Sequence, residues 1–213
     1  IRIAFILPDA QNWTGGVNYL RNLSRAIHVV QNNKFKLILY TAVHTPEELL
    51  RSFDGLAEIR TSRIFNRSSR LVRKLLSFFI GQDFLCVWRL KRDQIDLVSH
   101  YLLPGNNLPF KVINWIPDFQ HVHLEKMFTK KEIYLRNKWF KDGIKGCDRI
   151  ILSSFDARND CLEFDPSCEK KTRVLHFVAQ GNEKIYTINS IAPVCEQYGI
   201  PHIYFYVPNQ FWA

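Results

Sequence analysis

Polar side chains gather directly after an apolar segment near the middle of the chain, in the run Trp115 to His123 (W-I-P-D-F-Q-H-V-H). A carboxylate such as that of Asp118 accepts hydrogen bonds, and an imidazole such as that of His121 can donate or accept them. The two residues could therefore transfer protons or hold the hydroxyl groups of a substrate. A metal site is not predicted, because a third ligand beside His121 and His123 is not evident. For each histidine taken singly, a structural or surface role is the alternative.

A second candidate site is the run Thr14-Gly15-Gly16-Val17-Asn18, which opens a helical pattern. Paired glycines let a ligand approach the backbone closely, and the start of a helix offers free N–H groups and a positive dipole end. This segment therefore suits a phosphate or a sugar hydroxyl. Its spacing matches neither the dinucleotide-binding fingerprint nor the P-loop, so a plain turn capped by Thr14 is the alternative.

The elements that must position these residues are short apolar segments that alternate with helical patterns. Strands are predicted at Ile1–Leu7, Phe35–Thr41, Ala57–Arg60, Ile95–Ser99, Lys111–Trp115, Arg149–Ser153, Thr172–Phe177 and Ile203–Val207. Helices are predicted at Val17–Val30, Pro46–Phe53, Lys131–Lys145, Phe155–Phe164 and Ile188–Tyr198. This alternation predicts an α/β fold with a Rossmann-like, doubly wound, mostly parallel sheet. Ligands of such sheets bind outside the carboxyl ends of the strands, so both candidate sites are expected at that edge.

Length and composition limit the class of protein. The chain has 213 residues, of which 46% are hydrophobic and 23% are charged, so it can bury a core and is not disordered. Its five cysteines include no C-x-x-C pair, which favours free thiols in the reducing cytoplasm. A transmembrane span is not predicted, because no apolar segment reaches about twenty residues.

The positive charge of the chain is concentrated in one part, which we call the basic segment, Arg60–Arg92. It holds nine basic residues and one acidic residue, and so carries +8 of the formal net charge of +9. Leucines and phenylalanines alternate in it with basic residues at helical spacing, a pattern that suits an anionic membrane surface. The alternative is a helix that packs its apolar residues inward and leaves its arginines in solvent. Nucleic acid is not expected as a partner, because no recognised binding motif accompanies the charge. The residues predicted to face the membrane are Arg67, Arg70, Arg73 and Lys74.

Several runs of the sequence point together to one family. They are I-R-I-A-F-I-L-P with T-G-G-V-N-Y-L-R-N-L, N-W-I-P-D-F-Q-H-V-H-L-E-K-M-F, C-D-R-I-I-L-S-S-F-D-A-R-N-D and K-T-R-V-L-H-F. In these runs the chain resembles the N-terminal half of a retaining GT-B glycosyltransferase of the family 4 type. The resemblance covers most of the chain except Thr45–Asp93, where we find no motif.

The resemblance implies a two-domain enzyme that moves a sugar, with retention, from a nucleotide-sugar donor to a glycan or lipid-linked acceptor. It implies that Gly15 and Gly16 belong to a loop that lies against the donor diphosphate and sugar. Asp118 and His121 fall in the loop where the family contacts the transferred sugar, and the match does not decide between them. They are the predicted catalytic residues, and no metal or other cofactor is implied. The predicted substrate-binding residues are Gly15, Gly16, Asn18 and His123.

The same resemblance suggests how the chain is divided. Residues 1–180 are expected to form the Rossmann-like acceptor-side domain, residues 181–202 an interdomain linker and helix, and residues 203–213 the start of a donor-binding domain. The basic and glutamate-rich residues that stabilise the leaving group in the family would follow Ala213, so the chain is expected to be inactive alone. We expect it in the cytoplasm, at the inner face of the membrane. The alternative is a non-catalytic α/β module with a basic membrane- or nucleic-acid-binding segment.

Overall fold

The computed structural model describes residues 1–7, 14–31, 34–103, 105, 107–177, 192–201 and 203. In this part of the chain seven strands form one sheet, in the order β3-β2-β1-β4-β5-β6-β7, and all neighbouring strands are parallel. The strands are β1 (Arg2–Leu7), β2 (Lys36–Thr41), β3 (Glu58–Thr61), β4 (Leu97–Ser99), β5 (Lys111–Ile116), β6 (Arg149–Leu152) and β7 (Thr172–Val174).

The central strands are covered on both faces, which explains why they are apolar at almost every position. In β1, Phe5 points to one hydrophobic cluster and Ile6 to another, and both side chains are almost fully buried. β1 pairs with β2 in register from Arg2 opposite Lys36 onward. Because side chains alternate along a strand, this register gives each face its own continuous core.

Helices pack on both faces of the sheet. They are α1 (Thr14–Gln31), α2 (Glu47–Arg51), α3 (Arg67–Ile80), α4 (Phe84–Arg92), α5 (Gln120–His123), α6 (Lys130–Gly146), α7 (Phe155–Phe164) and α8 (Ala192–Tyr198). Residues of α1 and α2 join the cluster around Phe5, whereas residues of α4, α6 and α7 join the cluster around Ile6. The predicted fold class, a Rossmann-like doubly wound α/β sheet, is therefore confirmed.

The order of the strands creates a switch point between β1 and β4. The chain leaves β1 through α1 over one face, and it returns to β4 through α4 over the other face. Helices that diverge in this way open a crevice outside the carboxyl ends of the two strands, where ligands of open α/β sheets bind. The start of α1 and the residue after β4 lie at this point.

The predicted elements agree closely with the structure. Seven of the eight predicted strands are present, and their ends differ by at most three residues. The eighth, Ile203–Val207, lies outside the described residues except for Ile203 and stays a prediction. α6 is held at its start by a capping box between Thr129 and Glu132. Near its end, a Cβ on Gly143 would lie 2.5 Å from Nδ2 of Asn114 in β5, so the close packing of helix on strand requires glycine there.

The elements fall in two compact units, Ile1–Val178 and Ala179–Ala213. The first contains the sheet, and α8 is the described helix of the second. The predicted linker at 181–187, the first part of the predicted helix at 188–191 and residues 204–213 of the predicted second domain lie outside the described residues. The predicted domain boundaries therefore stay predictions.

Candidate functional site

The first turn of α1 lies just beyond the carboxyl end of β1 and contains the glycine pair. It holds no acidic residue, so the positive end of the helix dipole is not offset by a carboxylate of its own turn. Gly15 is exposed, and a Cβ placed on it would meet no atom within 4 Å. Gly16 is buried. Packing against the described residues therefore does not require glycine at position 15, and no described atom fills the space beside its Cα.

Asn18 lies next to this turn on α1. Its side chain is exposed, and its Oδ1 accepts a 3.0 Å hydrogen bond from Nη2 of Arg21. The amide is thus oriented by a neighbour on its own helix, three residues further on. Its position at the carboxyl edge is the one that the sequence predicts.

His100 directly follows β4 and sits at the switch point. Its φ of +61° lies in the left-handed region, which is uncommon for a residue with a Cβ and concentrates at constrained functional positions. The ring bridges two hydroxyl groups, with Nε2 2.9 Å from Oη of Tyr19 and Nδ1 2.7 Å from Oγ of Ser99. Burial lowers the pKa of His100 to about 3, so the imidazole is neutral at physiological pH. A neutral imidazole has one N–H and one lone pair, so it donates to one hydroxyl and accepts from the other.

Aromatic rings surround His100 and form what we call the aromatic cluster: Tyr19, His100, Trp115 and Phe177. The Tyr19 ring stacks on Trp115, with centroids 4.3 Å apart and planes 15° apart. The ring of Phe177, which follows β7, stands edge-on to both at 5.2 and 6.2 Å. Burial raises the pKa of Tyr19 to about 12, so its hydroxyl stays protonated. An apolar surface with a few fixed polar groups is the usual lining of a small-molecule site.

Asp118 lies in the loop after β5, at the same edge of the sheet. Its Oδ1 accepts a 3.2 Å hydrogen bond from the backbone N–H of Gln120. The Ser153 hydroxyl after β6 donates to the carbonyl of Pro117 and so ties this loop to the next strand. Asp118 is partly exposed, and its Oδ2 has no hydrogen-bond partner among the described residues. This oxygen is therefore available to a ligand.

His121 lies in the interior, where its side chain is 0% exposed. Its ring packs against Phe119, Phe140 and Phe164, at centroid distances of 6.3, 5.1 and 6.5 Å. Nε2 lies 2.9 Å from Oδ1 of Asn137, and Nδ1 is buried without a partner in the described part of the chain. Burial lowers the pKa of His121, which keeps the ring neutral. In this position His121 contacts core residues rather than the surface where a substrate would bind.

His123 lies on the outside of the same loop, two residues further along. Its Nε2 is 2.9 Å from Oδ1 of Asp160 on α7, and 58% of its side chain is exposed. The pairing shows that His123 links two elements at the carboxyl edge. Together with Asp118 and Gln120, it is among the polar side chains of the described loop that solvent can reach.

Three members of the aromatic cluster were missed by the sequence argument. His100 directly follows the predicted strand Ile95–Ser99, and the criterion that selected Asp118 would have selected it too. Tyr19 is one turn beyond the glycine pair, and Phe177 ends the last predicted strand. Their assembly depends on the order of the strands, which the local pattern does not contain.

The structure contradicts one residue of the predicted membrane-facing set, and it contradicts the alternative of an inward apolar face. Arg67 and Arg70 are exposed, but Arg73 is only 6% exposed, so the prediction that it faces a membrane is wrong. Its guanidinium binds the carboxylate of Asp83 inside the protein. The side chain of Lys74 lies outside the described residues.

The alternative of an inward apolar face is also wrong, because three apolar side chains of α3 are mostly exposed. The exposed fractions are 67% for Leu71, 55% for Leu75 and 81% for Phe79. In the described part of the chain we find no helix with the length and apolarity that a transmembrane span needs.

A cavity of about 740 Å³ opens at the opposite, amino-terminal edge of the sheet. Its lining includes Asp96, Asn107, Lys111 and Lys145. Lys111 is paired with Asp148, 2.9 Å away, so part of the charge at this edge is neutralised within the protein. We therefore place the candidate site at the carboxyl edge.

Among the described residues, no group of three or more histidine, cysteine or acidic side chains is arranged so that it could hold a metal ion.

Comparison with known proteins finds likeness among solved structures alone. No protein-family model and no curated protein matches the sequence. Among solved structures, a lysine-to-methionine mutant of the O-GlcNAc transferase of Thermobaculum terrenum matches with 10% identity and a TM-score of 0.35. The match covers 84% of this chain and 45% of that one, so the chain spans less than half the length of this neighbour.

Proposed function

We propose that this chain is the acceptor-side part of a glycosyltransferase. The reaction would move a sugar from a nucleotide-sugar donor to a glycan or lipid-linked acceptor, with retention at the anomeric carbon. The observation that carries the proposal is the pairing, at the switch point of the sheet, of the open helix start at Gly15 with the buried His100. The sequence resemblance of the surrounding loops to GT-B enzymes supports the same reaction class.

The start of α1 suits the diphosphate of the donor. Its backbone N–H groups and positive dipole end attract an anion, and no acidic side chain of the first turn competes for them. Because Gly15 has no side chain and the space beside it is open, a phosphate could come within hydrogen-bond distance of the backbone.

His100 has a positioning role in this proposal. Through Tyr19 it joins α1 to the end of β4, and through Ser99 it is fixed to the strand itself. Since the ring stays neutral, it orients the helix start without adding a charge that would change with pH. The partly exposed ring of Tyr19, backed by the buried Trp115 on which it stacks, would give the sugar or base an apolar wall.

Of the two predicted catalytic residues, we assign the contact with the transferred sugar to Asp118. Asp118 is partly exposed and its Oδ2 has no hydrogen-bond partner among the described residues, whereas His121 is enclosed by phenylalanine rings. A carboxylate accepts hydrogen bonds from sugar hydroxyls and stabilises positive charge that develops at the anomeric carbon. His121 would act through packing, by holding the loop that carries Asp118.

The proposal is tested by calorimetric titration of the chain with a panel of nucleotide sugars. Gly15→Leu should weaken binding at least about tenfold, because the new side chain would fill the space that the diphosphate needs, and a Cβ at this position meets no described atom within 4 Å. Lys145→Leu, at the exposed end of α6 on the opposite edge, is the matched control and should bind like the original chain. Equal affinities in both variants, or the absence of binding to every nucleotide sugar of the panel, would contradict the proposal and favour a non-catalytic module.

A further inference from the structure

Helix α3 presents its polar side to the protein and its apolar side to solvent, the reverse of an ordinary surface helix. Ser69, Arg73 and Ser77 recur at intervals of four residues, and all three are partly or fully buried. On the other side of the helix, Leu71, Leu75 and Phe79 also recur at intervals of four and are mostly exposed. We call these three residues the apolar stripe.

The buried contacts of Arg73 hold the helix in this orientation. Its Nε lies 2.9 Å from Oδ2 of Asp83, and its Nη1 donates to the carbonyl of Ile64 at 3.2 Å. Its Nη2 lies 3.2 Å from the hydroxyl of Tyr101, and its guanidinium sits 5.5 Å from the ring centre of Phe65. All the contacts of the guanidinium named here are with groups of the protein, so Arg73 does not face solvent. Rotating the helix to bury the apolar stripe would break all of these contacts and leave Asp83 unpaired.

The surface around the apolar stripe is positively charged. Between Ile59 and Arg92 the sequence contains one acidic residue, Asp83. Its carboxylate is buried in the ion pair with Arg73. Arg67 and Arg70 are exposed on α3. Neither forms an ion pair among the described residues. This part of the surface therefore offers cations and apolar side chains with no exposed carboxylate between them.

The neighbouring helix α4 extends the same combination. Phe84 and Trp88 are 47% and 46% exposed, and the guanidinium of Arg92 lies 5.5 Å from the ring centre of Trp88. Tryptophan and arginine side chains are enriched where proteins meet the interface between lipid headgroups and acyl chains. α3 and α4 also contact one another closely, so they present their exposed residues as one surface.

We propose that α3 lies flat on an anionic membrane surface. The apolar stripe enters the boundary between headgroups and acyl chains, and Arg67 and Arg70 bind lipid phosphates. Charge complementarity favours this partner, because the exposed cations of this surface lack acidic neighbours that would pair with them. The proposal concerns a docking surface and does not depend on the proposed sugar transfer.

The experiment is co-sedimentation of the 213-residue chain with phosphatidylcholine vesicles, with and without phosphatidylglycerol. The chain should bind vesicles that contain phosphatidylglycerol at low salt, and added salt should weaken the binding. Arg67→Gln with Arg70→Gln should weaken binding to the anionic vesicles about thirtyfold and change binding to neutral vesicles little. The matched control is Lys34→Gln with Lys170→Gln, which removes two exposed charges from other elements and should have little effect.

The apolar stripe is tested separately by replacing Leu71, Leu75 and Phe79 with glutamine. Because these side chains are exposed, circular dichroism and the thermal midpoint should stay nearly unchanged, while binding to anionic vesicles should fall at least about a hundredfold. The control is Val29→Gln with Val30→Gln, which alters two valines that are 78% and 72% exposed at the end of α1.

Three results would overturn the proposal. One is the absence of binding to anionic vesicles by the original chain. A second is binding that survives the triple glutamine substitution. The third is that the original chain forms a dimer in sedimentation velocity without vesicles, and that the triple substitution dissociates this dimer. That result would assign the apolar stripe to contact with a second copy of the chain.

Discussion

Acid should destabilise this protein through His100, and replacing that residue should remove part of the effect. The native state holds His100 neutral because burial lowers its pKa from 6.5 to about 3. In the unfolded chain the same imidazole binds a proton at its ordinary pKa. The unfolded state therefore gains a proton before the native state does, and the stability that depends on neutral His100 is complete above about pH 6.5 and is lost as the pH falls toward 3.

The size of the effect follows from the two pKa values. At about pH 5 the imidazole is almost fully protonated in the unfolded chain and still neutral in the native state. This pH lies about 1.5 units below the pKa of the unfolded imidazole. At about 1.4 kcal/mol per unit, the free energy of unfolding should fall by about 2 kcal/mol between pH 7.5 and pH 5 through His100. His121, whose pKa burial also lowers, adds to the fall in the original chain.

The substitution His100→Asn isolates the contribution. Asparagine tolerates the left-handed φ of this position and does not titrate, so the variant should be less stable at neutral pH but less sensitive to acid. Urea unfolding followed by tryptophan fluorescence at about pH 7.5 and about pH 5 gives both free energies. The variant should lose about 2 kcal/mol less than the original chain. An equal loss in the two proteins would refute the conclusion that His100 is buried and neutral.

Three further predictions concern the packing that supports the site. Arg73→Gln should lower the free energy of unfolding by about 3 to 5 kcal/mol in urea titrations, because it leaves Asp83 buried and unpaired; a small change would mean that the pair is open to water. Gly143→Ala should lower it by about 1 to 3 kcal/mol, since the new Cβ would collide with Asn114, and an unchanged value would contradict the close packing of α6 on β5. For Asp93, burial raises the pKa, but hydrogen bonds from a tyrosine and two arginines outweigh burial and hold the pKa at about 2. The ionised Asp93 therefore adds about 2 kcal/mol to the free energy of unfolding above about pH 4, and this contribution is lost as the pH falls toward 2. Asp93→Asn should remove the contribution, and with it this part of the acid sensitivity. The same acid sensitivity in the variant would contradict this assignment.

Each of these substitutions has a control on the surface. Arg70→Gln changes an exposed arginine of the same helix as Arg73 and should alter stability by less than about 0.5 kcal/mol. Gly146→Ala lies on the same helix as Gly143, where a Cβ would meet its nearest atom at an ordinary 3.6 Å. Asp142→Asn removes an exposed carboxylate that pairs with Lys138, and such pairs contribute little.

Much of the fold could be predicted because it depends on local pattern. The run from Ile3 to Leu7 is apolar at every position, and a strand buried on both faces of a parallel sheet needs such a run. Asp118 could be found in the same way, since ligand-binding residues of these sheets follow the strands. The ends of the strands were less certain, because the hydrogen bonds that end a strand depend on its neighbours.

The remaining features depend on contacts between distant parts of the chain. Helical spacing predicted two faces for α3 but could not show which of them meets the protein, because Arg73 is held there by Asp83, which caps the start of the next helix. In the same way, His100 and His121 are equivalent by sequence, and only the order of the strands brings the first beside Tyr19. Pattern gives the periodicity of an element, whereas the orientation of its faces follows from tertiary packing.

The central claim is that ligand binds at the carboxyl edge of the sheet, and mapping backbone amide shifts during titration with nucleotide sugars tests it most directly. The account predicts that the amides of Gly15, Gly16, His100 and Asp118 shift together and saturate with one affinity, because they surround the switch point. Shifts that are confined to the cavity near Lys111 at the amino-terminal edge, with the carboxyl edge unchanged, would contradict it.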